Sequence, residues 1–298
     1  MITLGLPYKG SKSSIAEDIV KKLPPGGKIL DACCGGGAVL MALAMSLKYD
    51  KVVGNDLNAA TIRLLDAVLI NKGQIDYEHP SPCSRDDFFN SLQRIKNGDF
   101  DIQDCVNKYC ASFGNDGKTY LYGEQIEDYK LIAEKMLTAP TLSERRKFYR
   151  KFFDIVTKKE DDDGRLQKLE FVQRLQSLER LERLERLDIF DIDYSEFDVV
   201  YFDIPYKGTN KYDFEFDYDR FYELFSSLKI PAFLSEYEAP FTCVAEFEKT
   251  QLMAASVGSS KSTTMEKLYF NGSKEQYRSL MGRYYSDFSS LGQVELEL

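Results

Sequence analysis

The sequence predicts an α/β protein with a mostly parallel, doubly wound sheet, interrupted by an inserted lobe. Three observations lead there. Apolar strands and helices alternate over residues 26–72, the alternation breaks over about 73–165, and it resumes from 197. A chain of 298 residues has ample core for one large domain or two smaller ones. The expected division is a main domain from 1–72 and 186–298, a lobe at 73–165, and a Leu-rich helical spacer at 166–185.

In chain order, "KSSIAEDIVKKL" (12–23) predicts a helix, with Ser14 and Glu17 spaced as a capping box and Ile15, Ile19 and Leu23 on one face. "GGKILDACCGGGAVLMALAMSLK" (26–48) gives a strand, a glycine turn and an apolar helix. "KVVGNDL" is the next strand, and "NAATIRLLDAVLINK" a helix opening near Asn58. The lobe is polar and aromatic, punctuated by Pro80, Pro82, Gly114, Gly117 and Gly123, with a basic run "ERRKFYRK" at 144–151. After it, leucine recurs every third residue from Leu175 to Leu187. On a helix that period drifts by about 60° per step, so the stripe winds round instead of forming a seam. The pairs Glu179/Arg183 and Glu182/Arg186 favour a short helix there. "FDVVYFD", "YDRFYELFSSLK", "PAFLSEY" and "MEKLYFN" then read as strand, helix, strand and strand.

Composition narrows the chemistry. The first twenty residues lack an apolar h-region and no span is long enough for a membrane, so a cytoplasmic protein is expected. Six cysteines without C-x-x-C spacing read as free thiols. With His79 the only histidine, the sequence weighs strongly against His-based metal sites and Ser-His or Cys-His catalysis, and no metal is expected. The chemistry must rest on carboxylates, amides, aromatics or a cofactor. The net charge of −9 weighs against nucleic acid, although a local basic patch binds phosphate on an acidic protein.

Two stretches carry the chemistry. "DACCGGG" (31–37) follows a strand and opens a helix, where a ligand meets backbone closely, and Asp56 ends the next strand in reach of ribose hydroxyls. Leu40 stands where a pyrophosphate fingerprint needs a third glycine, so the loop suits a nucleoside cofactor without a diphosphate. The second stretch is Asp203-Ile204-Pro205-Tyr206, directly after an apolar strand. A ring-conjugated amine such as adenine N6 is a poor nucleophile, because its lone pair is delocalised. A carboxylate and a backbone carbonyl that accept its two N–H groups draw the nitrogen towards tetrahedral geometry and aim it at a methyl donor. Asp203 and the Ile204 carbonyl are those acceptors, Pro205 restricts Ile204 to extended backbone, and Tyr206 offers a stacking face.

Asp203-Ile-Pro-Tyr206 resembles the D-P-P-Y motif of the Dam-like DNA adenine methylase family, the DNA N6-adenine-specific methyltransferases. The resemblance covers nearly the whole chain in the family's order, through "PYKGSK" (7–12), "LDACCGGGAVL", "VVGNDLN", "SFGNDGKTYLYG" (112–123), "IDYSEFDVVYFDIPYKGT", "LSEY" and "EKLYFN". It implies a seven-stranded, Rossmann-like S-adenosylmethionine-dependent methyltransferase sheet with a reversed hairpin, and a lobe that recognises double-stranded DNA. It places Tyr8, Lys9, Lys12, Asp31, Cys33, Gly35, Gly37, Asp56, Leu57, Asp193, Tyr194 and Asp203 at the cofactor, with Asp31 at its methionine amino group. Asn115, Lys118, Tyr120, Arg145, Arg146 and again Lys12 fall towards DNA. Ile204 departs from the family's first proline, which implies a slightly looser loop with activity kept. Both a solvated helix face and a phosphate contact stay open for 145–151, as do a plain hairpin and a DNA contact for 112–123. The leading reading is a monomeric enzyme of prophage or restriction-modification type, and both the presence and the absence of a cognate restriction nuclease stay open. The competing readings are a methyltransferase for RNA or a protein amide, and a catalytically idle nucleic-acid-binding module.

Overall fold

A computed structural model describes residues 4–76, 81–124, 126–156, 180–206, 216–253 and 260–289. These form two compact units. The first draws on Met1–Leu4, Lys12–Leu57 and Glu179–Leu298, the second on Gly5–Ser11 and Asn58–Leu178.

The first unit is built on a seven-stranded sheet in the order β3-β2-β1-β4-β5-β7-β6. Its strands are β1 (Gly26–Asp31), β2 (Tyr49–Asn55), β3 (Leu181–Glu185), β4 (Val199–Phe202), β5 (Ala232–Glu236), β6 (Thr242–Met253) and β7 (Ser260–Phe270). All neighbours run parallel except β7, which is antiparallel to both β5 and β6. The chain moves outward from β1 to β2 and β3, then returns to β4 on β1's other side. That reversal puts a topological switch point at the carboxyl ends of β1 and β4, where sheets of this kind hold ligands.

The helices follow the sequence closely, beginning with α1 (Ala16–Lys22) and α2 (Ala38–Met45) in the first unit. In the second unit lie α3 (Ala59–Leu69), α4 (Arg85–Asn97), α5 (Ile102–Cys110), α6 (Glu127–Thr138) and α7 (Leu142–Val156). The first unit resumes with α8 (Tyr218–Ser227) and α9 (Lys274–Ser289). Helix α2 is apolar on every side, and Ala38 to Ala44 are all buried, as a helix enclosed on all faces requires. A Cβ on Gly54 of β2 would meet Leu40 of α2 at 2.8 Å and Leu184 of β3 at 2.7 Å, so any larger residue there would have to push these leucine side chains aside. Around β4, Phe202 packs edge-on against Phe221 and Phe225 of α8, and Leu30, Val200 and Ile204 complete that core.

Three expectations change. Residues 181–185 are strand β3, not part of a helical spacer, while the earlier leucines of the repeat lie outside the described residues. The physical reason is a bulge. Val52 pairs with Leu181 but Val53 with Arg183, so Leu184 falls opposite Gly54. One extra residue thereby turns a three-residue leucine spacing into the two-residue period of a strand face. The units also divide at Leu57/Asn58, not after 72, because α3 packs on α5 and Thr61 shares a 2.6 Å hydrogen bond with Tyr109. Finally, Ser14 caps nothing. Ile15 occupies the N-cap position without a side-chain bond, and the neighbouring Ser13 hydroxyl accepts the Leu4 N–H at 2.9 Å.

Helices α3, α4 and α5 of the second unit start where short polar side chains satisfy free N–H groups. Ser84 with Asp87 opens α4 and Asp101 with Asp104 opens α5 as capping boxes, and Asn58 caps α3. Gly98 ends α4 in the left-handed region at φ 79°. Phe88, Tyr120, Tyr122, Cys83 and Ala111 form its core.

Candidate active site

The site assembles within the first unit from the ends of four strands. Asp31 ends β1, Asp56 follows β2, Asp203 follows β4, and Glu266 lies within β7. The β4 end is pinned. The Ile204 side chain is buried in the core, and the Tyr218 hydroxyl donates to the Pro205 carbonyl at 2.9 Å. Where the family has a proline ring, this chain packs a branched apolar side chain into the core of α8.

The glycine loop is held from two sides. The Gly35 N–H donates to Asp56 Oδ2 at 2.9 Å, and the Cys34 N–H donates to the Asn55 carbonyl at 2.8 Å. Gly35 (φ 46°) and Gly37 (φ 79°) both sit in the left-handed region, with Gly37 at the start of α2. The buried Asn55 amide ties three strand ends together. It donates to the carbonyls of Ala32 at 2.9 Å and Leu187 at 3.1 Å. Leu57 is exposed beside this loop, and its carbonyl accepts Arg186 Nε at 3.3 Å.

Asp31 is 1% exposed, and neither of its carboxylate oxygens makes a hydrogen bond to another described side chain or backbone group of adequate geometry. Burial, then the nearby Asp203 and Asp56 carboxylates, push it well above the usual carboxylate range; Lys12 and the Leu40 N–H offset only part of this. Burial likewise pushes the Cys33 thiol up, so it is no thiolate nucleophile. A buried carboxyl so weakly hydrogen-bonded suits a cation.

Asp203 has a partner in Lys12. The buried ammonium lies 2.8 Å from each Asp203 oxygen, 3.5 Å from Glu266 Oε1 and 4.6 Å from the centre of the Tyr206 ring. Burial alone would lower the Lys12 pKa, but Asp203 and Glu266 outweigh it and hold it above the ordinary value. Tyr206 donates its hydroxyl to Glu266 and meets Tyr237 edge-on at 4.7 Å. Burial raises Glu266 to about 7 against the pull of Lys12. Asp193 is exposed and caps its own turn through Ser195, at 3.0 Å to the N–H. Tyr194 is buried nearby, its hydroxyl donating to the Ile189 carbonyl at 2.6 Å.

Thus Lys12, Asp31, Cys33, Gly35, Gly37, Asp56, Leu57, Asp193, Tyr194 and the 203–206 turn all lie in the first unit. Tyr8 and Lys9 lie in the second, with Tyr8 tilted 5.9 Å from Tyr109. There, 112–123 is a hairpin-like turn. Ser112 bridges Tyr120, and Asp116 accepts the N–H groups of Lys118 and Thr119 at 2.8 and 2.9 Å. Tyr120 is a correction. It is buried, and its hydroxyl donates to the Cys83 carbonyl at 2.7 Å, so it braces the turn from inside instead of meeting DNA. Lys118 is exposed and Asn115 half-buried at φ 58°. Arg145, Arg146, Lys147, Arg150 and Lys151 are all exposed on α7.

Sequence reasoning passed over Glu266 and Asn55. The signal for Glu266 was present: in "MEKLYF" it keeps two-residue step with Leu268, placing a carboxylate on the strand's inward face. Among the described residues no group of acidic, histidine or cysteine side chains could hold a metal, and no helix is long and apolar enough to cross a membrane.

A sheet with this strand order, a glycine loop after β1 and an acidic clamp after β4 define a Rossmann-like methyltransferase. The profile of one family, D12 class N6 adenine-specific DNA methyltransferase, matches residues 8–269. The chain belongs to that family, and is an adenine-specific DNA methyltransferase. No curated protein matches it.

Proposed function

We propose that this enzyme moves the methyl group of S-adenosylmethionine to N6 of an adenine flipped out of duplex DNA. The observation that carries the proposal is the pairing, at this switch point, of Asp203 after β4 with the weakly hydrogen-bonded Asp31 carboxyl at the end of β1. The residues present fit the cofactor. Asp31 suits its amino group, the Gly35–Gly37 backbone permits close approach, and Asp56 both braces that loop and stands at the strand end for ribose. When bound, S-adenosylmethionine supplies an electrophilic methyl on a sulfonium.

The chain's own residues do the rest. Tyr206 holds the extruded base by stacking, worth roughly 1–3 kcal/mol per base. Asp203 and the Ile204 carbonyl accept the two N6 protons and stabilise the positive charge that develops on nitrogen. Asp203 takes no proton beforehand, because the methylated amine loses one readily to water. Exposed Arg145, Arg146 and Lys118 supply phosphate contacts on a chain of net charge −9. The reading extends to a cytoplasmic monomer of prophage or restriction-modification type, whose partner nuclease is blocked by the methylated site.

The test is Asp203→Ala. Calorimetry should show S-adenosylmethionine binding retained, while transfer of tritiated methyl to plasmid DNA falls by several orders of magnitude. Substantial transfer by this variant would overturn the clamp.

A further inference from the structure

The Lys12 ammonium engages both oxygens of Asp203, the same atoms an incoming amine needs. A substrate amine that uses the clamp competes with this buried cation for the same two oxygens, and a buried cation that gives way needs another acceptor. Glu266 Oε1 lies 3.5 Å from the ammonium. Its other oxygen, Oε2, is buried with no hydrogen-bond partner among the described residues. Buried carboxylate oxygens are rarely left so, and one lying beside a cation paired elsewhere has the features of a vacant acceptor for it.

We propose that Glu266 is a positioning residue that takes the Lys12 ammonium from Asp203 when the target amine docks. The inference rests on the proposed adenine methylation. No bond forms or breaks: one ammonium changes carboxylate, and the amine takes its place on Asp203. Glu266 also accepts the Tyr206 hydroxyl, so the same carboxylate fixes the stacking ring. Release of the clamp and placement of the base are thereby joined at one residue.

The surroundings support this exchange. Glu266 stands on β7 between β5 and β6, facing Lys12 from the N-terminal segment and Asp203 from the end of β4. Lys249 of β6, lowered to about 8 by burial and by Lys12, is the other cation near the pair. Tyr201 of β4 also lies in the field of Lys12 and Asp203, and Glu236 of β5 pairs in register with Lys267 beside Glu266. With Glu266 at about 7, its ionised form, the one able to hold the ammonium, dominates above neutrality.

Two measurements decide it. A crystal structure of Asp203→Ala should place the Lys12 ammonium within hydrogen-bond distance of Glu266 Oε2. An ammonium turned elsewhere, with Oε2 still unpartnered, overturns the exchange. Single-turnover methyl transfer to unmethylated plasmid should rise with pH around a midpoint near 7. Glu266→Gln should lower transfer at pH 8 at least tenfold, abolish that rise and leave S-adenosylmethionine affinity within twofold, while Glu266→Asp restores part of both. A glutamine variant with the parent's rate and midpoint refutes the role. Absent transfer by the unsubstituted chain counts against the proposed function, and the Asp203→Ala structure then still decides the exchange.

Discussion

Replacing Glu266 by glutamine should stabilise the protein above neutral pH even as it impairs catalysis. The magnitude follows from the site. Burial, against the attraction of Lys12, moves this carboxyl from 4.5 to about 7. At 1.36 kcal/mol per pK unit, the folded state loses about 3 kcal/mol on ionising a group that ionises freely when unfolded. The sign is set by proton binding. Between those values the folded state holds more protons, so this contribution is fully present below 4.5 and lost as pH rises through about 7. Glutamine has no such dependence. Part of this loss has already occurred by pH 5, so the melting temperature of the variant relative to the parent should climb by roughly 5–10 °C between pH 5 and pH 8, at about 2–4 °C per kcal/mol for domains of this size. Differential scanning fluorimetry of both proteins across that range measures it. A constant difference at all pH values would refute the raised carboxyl, because other titrating groups are common to both chains.

Three further outcomes are expected. Asp31→Asn should raise the melting temperature of the ligand-free protein, since it removes a weakly hydrogen-bonded buried carboxyl, and should weaken S-adenosylmethionine binding at least tenfold by calorimetry. Asp56→Ala removes the acceptor of the Gly35 N–H, so cofactor affinity should fall and hydrogen exchange at the Gly35 amide should accelerate. Neutralising Arg145, Arg146 and Arg150 together should weaken DNA binding across all sequences and flatten its salt dependence by about one unit per lost phosphate contact; an unchanged slope would leave α7 a solvated face.

The parts legible in the sequence are those set by local rules. Strands β1, β2, β4 and β5 are short runs that end in, or are directly followed by, Asp or Glu, the Gly35–Gly37 turn needs left-handed backbone, and Asn58 caps α3 through its own side chain. The turn at 203–206 could be read because its chemistry lies in four consecutive residues. What was hidden depends on partners far away in sequence. Lys12 and Asp203 meet across 191 residues, and nothing near either residue announces the other. Strand β3 depends on a bulge that only pairing with β2 creates, so its leucine spacing fits neither a helix nor a regular strand. Tyr120 alternates correctly with Leu121, yet alternation states only that two faces differ, not which one is inward. Ile204 shows the same limit: nothing at its motif position announces that its side chain enters the α8 core.

The central claim is that the clamp after β4 places a methyl group on adenine N6. Sequencing with modification detection, applied to plasmid from cells producing the protein, tests it most directly. The account expects N6-methyladenine at one fixed sequence, and none in plasmid from cells producing Asp203→Ala. Unmodified adenine throughout, or methyl groups on cytosine N4, would contradict it.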